Sequence, residues 1–481
     1  MLRRALELPQ QQQRELLSQL LGANRDTAFG LEHGFETIHD PDDFRRRVPL
    51  RCEQQYQPWL ERVSAGEPGV LTRAAPIAFE ATGGTTGAKL IPYTPHSLRA
   101  FRAAVLPWLA HLLEDFPRIT EGVAYVAASP VLRERQVLPC GLPLGLPSDA
   151  AYLGDDLLPS LTQIMTVPPR ASELASWQVS ALAHLARQRS LTLISVWSPT
   201  FLLELLEFLP RNAECVLARL QGDADATCRL ERALGAADGL VRHLWPALQV
   251  VSLWMDGASR PYAERVRALL PGVHLDAKGV LATESAITTR IGERAVPALT
   301  SAFFEFLDGD GTSYLAHELT AGRCYRVAIT TPGGLYRYDL GDEFRCLSTD
   351  DGQPDLRFVG RVGVVSDLVG EKLTDSFVAQ ALAPLRVGAA LVPCSSPAPH
   401  YELWMDSIQP QGGDATAVVE ARLADNPQYA YARRIGQLRP LTVVCSPGFA
   451  QHRARLLASR GGRLGDAKSC GLILDRGQLP A

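Results

Sequence analysis

A chain of 481 residues is too long for one simple core and predicts two or more domains. A hydrophobic share of 46%, a mean hydropathy of −0.01 and a net charge of −4 exclude a membrane bundle and leave no global positive field for nucleic acid or an acidic lipid surface. Nine scattered cysteines without a CxxC pair exclude a zinc ribbon or a disulfide scaffold and predict thiols in a reducing cytoplasm.

The first segment, "MLRRALELPQQQQRELLSQLL", reads as an amphipathic helix over Met1 to Leu21. No stretch approaches the ~20 apolar residues of a membrane span. The basic run "FRRRVPLR" (Phe44 to Arg51) is brief and reads as a solvated face. "PIAFEA" then reads as a short buried strand, and "EATGGTTGAKLIPYT" (Glu80 to Thr94) as a Gly-rich polar loop. A helix follows at once over Pro95 to Phe116, with Thr94 as N-cap and Pro95 at its first position. Phe101, Val105, Trp108, Leu109 and Leu112 share one face of it. Strand, hydroxyl-bearing loop, helix is an order that suits an anion, most often a phosphate.

Further on, helical patterns cover Ala171 to Gln188 and Phe201 to Leu209. Apolar runs at Val123 to Ser129, Leu191 to Trp197 and Leu248 to Asp256 read as strands between them, which argues for βαβ units around a largely parallel sheet. From about residue 300 the texture changes to hairpins: "SAFFEFLD", "TSYLAHEL", "CYRVAITT", "GLYRYDL" and "FRCLS" are split by "GDG", "AGR" and "PGG". From about residue 375 a small α+β unit takes over, with a helix near Ala415 to Asp425 and a strand in "PLTVVCS". The expected architecture is therefore α/β. A large domain over residues 1–373 contains a β-rich subdomain at about 300–365, and a small α+β domain over 374–481 follows a hinge between Gly370 and Thr374.

The Gly-rich stretch is not a Walker loop. Counting from Gly83, the positions of the second glycine, the lysine and the magnesium hydroxyl hold Ala88, Lys89 and Leu90. Gly83, Gly84 and Gly87 also miss dinucleotide spacing. What remains is T-G-G-T-T-G-x-K, whose hydroxyls and backbone N–H groups suit the β- and γ-phosphates of ATP; the bland alternative is a Gly-rich surface turn. Glu284 in "LATES" is an acid just after an apolar run, suited to a magnesium ion bridging phosphates, or simply a helix cap. Asp342 ends "GLYRYDLGD" after a strand, where a carboxylate can accept from both ribose hydroxyls, or simply close a turn. Ten histidines lack HExxH or HxH spacing, no G-x-S-x-G elbow is present, and His96 and His111 read as structural.

In their order and separation, "GGTTGAKLIPYT", "LISVWSPTFLLELL", "KGVLATES", "GLYRYDLGD", "FVGRVGVVSDLVGEKL" and "NPQYAYARRIGQLRPL" resemble the auxin-responsive-promoter family of acyl acid amido synthetases. That family is a branch of the adenylate-forming, luciferase-like superfamily, and the resemblance is closest to its bacterial members and runs along essentially the whole chain. It implies an ATP-dependent ligase that makes an acyl-adenylate from a carboxylic acid, releases pyrophosphate, and passes the acyl group to an amine, usually an amino acid. By the family pattern Thr82, Gly83, Gly84, Thr85, Thr86, Gly87 and Lys89 form the phosphate loop, and Thr283 and Glu284 sit at nucleotide and magnesium. Asp342 binds ribose, Tyr338 contacts the nucleotide, and Arg361 lies near ribose or phosphate. Lys468 in "GDAKSCG" matches the C-terminal lysine that reaches the α-phosphate.

Related enzymes rotate the C-terminal domain between half-reactions, and "GEKL" stands where that hinge is expected, so Glu371→Pro is expected to harm amide formation more than adenylation. Where plant relatives carry serine pairs, this chain has "ATGG" in the loop and Ala282-Thr283 before Glu284, which leaves the plant acids jasmonate and indole-acetate unsupported. "GVAYVAASPVLRER" and "GLPLGLPSDAAYL" are expected to shape the acyl pocket, with Val131 and Leu132 as candidate wall residues. The rival readings are an acyl-CoA ligase that shares the first half-reaction, and a non-catalytic acyl-binding protein on the same fold.

Overall fold

A computed structural model describes residues 6–81, 90–126, 137–146, 152, 165–166, 174–197, 199–236, 240–256, 259–350, 353–369, 371–385, 388–406, 415–434, 436–453 and 471–480. Among these, no helix is long and apolar enough to cross a membrane.

The first helix, α1 (Pro9–Ala23), opens on a proline, which lacks the N–H that an N-terminal turn leaves unbonded. Its buried Gln13 gives both amide hydrogens to the carbonyls of Leu299 and Ala302, each at 3.0 Å, and accepts from Phe304 N at 2.7 Å. The N-terminal segment is thereby pinned to the β-rich region almost three hundred residues away.

Strands β1 (Ala78–Ala81) and β2 (Leu90–Tyr93) form an antiparallel hairpin with Ala81 opposite Leu90. The sequence reading passed from the Gly-rich stretch straight to the helix and missed β2, because "LIPY" is short and its proline signals a turn. Two strands, not one, therefore hold the ends of residues 82–89. Helix α2 (Pro95–Asp115) begins as expected: Thr94 accepts from Ser97 N at 3.1 Å and the Ser97 hydroxyl accepts from Thr94 N at 3.2 Å, a reciprocal cap.

The parallel sheet has the order β4-β3-β5-β6-β7, built from β3 (Val123–Val126), β4 (Met165–Thr166), β5 (Leu191–Ser195), β6 (Val250–Leu253) and β7 (His274–Ala277). Period-two alternation divides its faces. Ile194, Val251, Leu253 and Leu275 join the core under α3 (Leu174–Arg187) and α4 (Pro199–Arg211), while Ala124, Leu193 and Val250 pack with Leu112 and Trp108 of α2.

A hairpin of β8 (Thr288–Ile291) and β9 (Arg294–Pro297) leads into an antiparallel sheet ordered β11-β10-β12-β13-β14. Its members are β10 (Phe303–Leu307), β11 (Ser313–Tyr314), β12 (Cys324–Thr330), β13 (Tyr338–Ser348) and β14 (Asp355–Arg361). The runs "GLYRYDL" and "FRCLS" are one strand, not two. The Gly-Asp pair between them is a bulge rather than a turn: Asp339 faces Ala328 and Glu343 faces Arg326, so Leu340, Gly341 and Asp342 all stand opposite Val327.

The C-terminal unit has β15 (Val365–Ser366) paired with β16 (Leu373–Thr374), and a sheet of β17 (Ala389–Cys394), β18 (His400–Met405) and β19 (Thr442–Cys445). Helices α5 (Asp375–Leu382), α6 (Ala415–Leu423) and α7 (Pro427–Arg434) complete it. Its core of Leu373, Val378, Leu391, Tyr401, Leu403, Val419 and Leu423 also takes in Val364, Leu368 and Val369.

Candidate nucleotide site

After β7 the chain runs through "KGVLATES". Gly279 passes so close to β8 that a Cβ there would lie 2.1 Å from the Thr288 carbonyl oxygen, so only glycine fits. Leu281 bridges to Ala286, and Ala282 N donates to Ser285 O at 2.9 Å. This closes a narrow turn with Thr283 and Glu284 at its tip, both half-buried. The Tyr93 hydroxyl, from the end of β2, donates to Thr283 O at 2.6 Å. Glu284, Ser285, Tyr93 and Ser97 line one crevice with Thr331, Pro332 and Gly333 from the β12–β13 connection. The turn at 332–334 approaches α2 closely: a Cβ on Gly333 would sit 3.0 Å from the Ser97 hydroxyl. At about 20 Å³ the crevice holds roughly a water, the scale of an ion or a phosphate oxygen rather than an acyl chain.

Asp342 stands on β13 at 3% exposure, directly opposite Arg361 of β14. The bulge beneath it uses Gly341 at φ +71, whose N–H donates to Asp339 Oδ1 at 2.9 Å and whose carbonyl accepts from Val362 N at 2.6 Å. Asp339 is held in turn by Arg326 at 2.9 Å. Just upstream Arg337 adopts φ +48, a costly conformation for a residue that carries a Cβ. Three bonds over-determine it: Nε to the buried Glu305 carboxylate at 2.9 Å, and Nη1 to the carbonyls of Val48 at 2.9 Å and Arg45 at 3.0 Å. Tyr338 follows with its side chain in the aromatic core, 2% exposed and 5.4 Å from the Tyr56 ring. That is the placement of a ring supporting the strand from inside.

Of the expected site residues, then, Glu284 lines the crevice with Thr283 next to it on the turn, Asp342 and Arg361 are register partners across β13 and β14, and Tyr338 lies at the start of the same strand. Thr82, Gly83, Gly84, Thr85, Thr86, Gly87, Lys89 and Lys468 lie outside the described residues, as do Val131 and Leu132. His96 is exposed in the first turn of α2, and His111 is 3.5 Å from Glu114.

Two polar groups were missed. Glu80, 8% exposed, accepts from Leu146 N at 2.9 Å and from the Tyr152 hydroxyl at 2.7 Å, and the Tyr152 ring meets Phe101 at 5.0 Å and Tyr93 at 5.8 Å. The signal for it was an acid inside the apolar run "AFEA". Lys278, in "LDAKGVLA", is the second; burial pulls its ammonium pKa from 10.5 down to about 8.

At the expected hinge, Glu371 is 1% exposed. Its carboxylate accepts from Leu368 N and Val369 N, both at 2.8 Å, and from the Tyr401 hydroxyl, while its carbonyl accepts from Asn426 Nδ2 at 3.0 Å. Burial and this carboxylate push the Tyr401 phenol well above its ordinary range. Glu371 is thus bonded into the C-terminal core. Upstream, Gly363 at φ +104 separates β14 from the first residues of that core.

The chain matches the GH3 family N-terminal domain over residues 1–275 and the GH3 family central domain over residues 295–361. It is 23% identical over 530 residues to the indole-3-acetic acid-amido synthetase GH3.8 of Oryza sativa subsp. indica, with 95% of this chain and 87% of that protein covered. Among solved structures, the GH3.15 acyl acid amido synthetase is similar at a TM-score of 0.85 and 17% identity, covering 99% of this chain and 93% of that one. A 2-hydroxyisobutyryl-CoA ligase in the postadenylation state is similar at a TM-score of 0.59 and 13% identity, covering 97% and 89%. These two likenesses show that the chain shares the fold of both proteins.

Proposed function

The chain belongs to the GH3 family, and on that premise we propose that it couples a carboxylic acid to an amine, most simply an amino acid, through an acyl-adenylate made from ATP. The observation that carries this reading is the crevice, where the end of β2, the tip of the 282–285 turn and the β12–β13 connection converge. Strand β2 begins directly after residues 82–89, the second presents Glu284, and the third leads into the strand of Asp342.

In this reading Asp342 accepts from the ribose hydroxyls, with Tyr338 supporting its strand from the core. Residues 82–87 and Lys89 cradle the β- and γ-phosphates, and Thr283 lies against the nucleotide. The acid's carboxylate and an α-phosphate oxygen ~4 Å apart repel by roughly 4 kcal/mol at an effective dielectric of ~20, about a thousandfold in rate. Cations must offset this locally, because the chain carries a net charge of −4. Arg361 and Lys468 supply two of them. A half-buried carboxylate facing a water-sized space is a hard-oxygen donor of the kind magnesium takes, so Glu284 is the residue that would hold it. Magnesium, when bound, neutralises phosphate charge.

For the second step the small domain turns to admit the amine. We place its pivot at Gly363 rather than at 370–374, since Val364, Leu368, Val369 and Glu371 all bond or pack with the C-terminal core. The central-domain match also ends at Arg361. Eight free cysteines among the described residues support a reducing, cytoplasmic setting.

ATP–pyrophosphate exchange with a mixed acid panel tests adenylation; a binding protein without catalysis gives none. Products with amino acids against coenzyme A then separate amide synthesis from thioester synthesis, and a thioester alone would move the chain to the acyl-CoA ligase reading.

A further inference from the structure

On the α2 face of the parallel sheet, the register aligns Ser195 with Ser252 and Ser252 with Asp276. These three make a polar row across β5, β6 and β7, one step above the apolar Leu193 and Val250. Two residues further along each strand come Trp197, Trp254 and Lys278, on the same face by alternation. The ladder continues to them: Trp254 N donates to Trp197 O, and Lys278 N to Leu253 O, both at 3.0 Å.

Lys278 is 7% exposed. Its ammonium donates to Ser195 Oγ at 2.7 Å and Ser252 Oγ at 3.2 Å, and lies 4.5 Å from the ring centroid of Trp108 and 5.3 Å from that of Trp197. Its counter-charge is relayed, since Ser252 Oγ donates to Asp276 Oδ2 at 2.6 Å and that oxygen also accepts from Trp108 Nε1 at 2.8 Å. A charge kept here is costly, and an apolar side chain of similar volume often serves a core as well or better. The place is also telling: the carboxyl ends of parallel strands are where open α/β sheets bind ligands. Lys278 opens the same "KGVLATES" stretch that ends at the crevice.

We propose that Lys278, framed by Trp108 and Trp197, reads the acyl acid at the end remote from its reacting carboxylate and selects flat acids carrying an acceptor oxygen there, a hydroxyl or a carbonyl. The proposal rests on the adenylation reading above. An ammonium has three donors and no acceptor, and two of its hydrogens go to the serines. The third is left to the indole faces of Trp108 and Trp197, which favour a planar ring, and an acceptor oxygen on that ring completes the set. A methyl group in the same place leaves the buried ammonium unanswered.

The test is pyrophosphate exchange with isosteric acid pairs, 3-(4-hydroxyphenyl)propanoate against 3-(4-methylphenyl)propanoate and a long-chain ω-hydroxy acid against its ω-methyl analogue. Wild type should favour the oxygenated member by roughly tenfold to hundredfold in kcat/KM. Lys278→Met should erase or invert that preference with the KM for ATP unchanged. The same ranking in both proteins, or equal exchange for both members of every pair in wild type, overturns the proposal while leaving adenylation intact. No exchange with any acid overturns the adenylation reading itself. Should Lys278→Met fail to fold, Ser195→Ala, which frees one ammonium hydrogen, must keep or sharpen the oxygen preference; loss of it there counts against the proposal.

Discussion

Stability should rise with pH through a single side chain, Lys278. Its ammonium is enclosed by Ser195, Ser252, Trp108 and Trp197, and burial lowers its pKa from 10.5 to about 8, with Asp276 opposing the shift. Below pH 8 both folded and unfolded chains hold the proton, and the full cost of the buried charge is present. Between 8 and 10.5 the folded chain has released a proton that the unfolded chain still binds, so stability climbs. Above 10.5 both are neutral and the gain is complete. Moving the pKa from 10.5 to about 8, at ~1.36 kcal/mol per pH unit, amounts to about 3 kcal/mol, of which about three quarters accrues by pH 10. Urea unfolding of wild type and Lys278→Met from pH 7.5 to 10 isolates the effect, because every other titrating group is common to both. The two stability curves should draw together, or cross, in the direction of wild type as pH rises. Parallel curves would show that the ammonium is not desolvated as its contacts imply.

The proposed nucleotide site yields sharper kinetic expectations. Asp342→Asn keeps the shape but weakens acceptance from ribose, so the KM for ATP should rise roughly tenfold to hundredfold at an unchanged KM for the acid; an equal rise in both would point to a disturbed strand instead. Glu284→Gln should lower pyrophosphate exchange by on the order of a thousandfold and flatten its dependence on magnesium. Gly363→Ala strains the φ +104 conformation by roughly 1–2 kcal/mol and should shift the ratio of amide synthesis to exchange by about tenfold. If both half-reactions fall together, the pivot lies elsewhere. Glu371→Pro no longer reports on a hinge: it removes a residue bonded to Leu368, Val369, Tyr401 and Asn426, and limited proteolysis should show a loosened C-terminal core.

Elements with strong local signals were legible. Thr94 and Pro95 announced α2 because capping chemistry depends on neighbours in the chain, and the apolar runs of β5 and β6 announced buried parallel strands. What failed was non-local. Strand β2 exists because Ala78 to Ala81 offer it a ladder, and nothing within "LIPY" says so. The Gly-Asp pair at 341–342 has the composition of a turn, yet the partner strand β12 continues past it and converts it to a bulge. Likewise "GEKL" looks pivot-like by its glycine, but the Glu371 carboxylate spends its lone pairs on Leu368, Val369 and Tyr401 and closes the segment down.

The same distinction explains which site residues could be named in advance. Glu284 and Asp342 lie in stretches singled out by motif spacing, and the structure places the first on the crevice and the second opposite Arg361 in register. Lys278 belongs to no such spacing. Its environment is assembled by register across three strands and by one turn of α2, and a lysine in an apolar run reads equally as a surface residue at a strand end. The proposed nucleotide role rests on motif spacing read along the chain, whereas no spacing in the sequence names the acid. The residues that choose the acid answer to no such spacing, and Lys278 is proposed among them because its ammonium is buried at the carboxyl ends of the parallel strands.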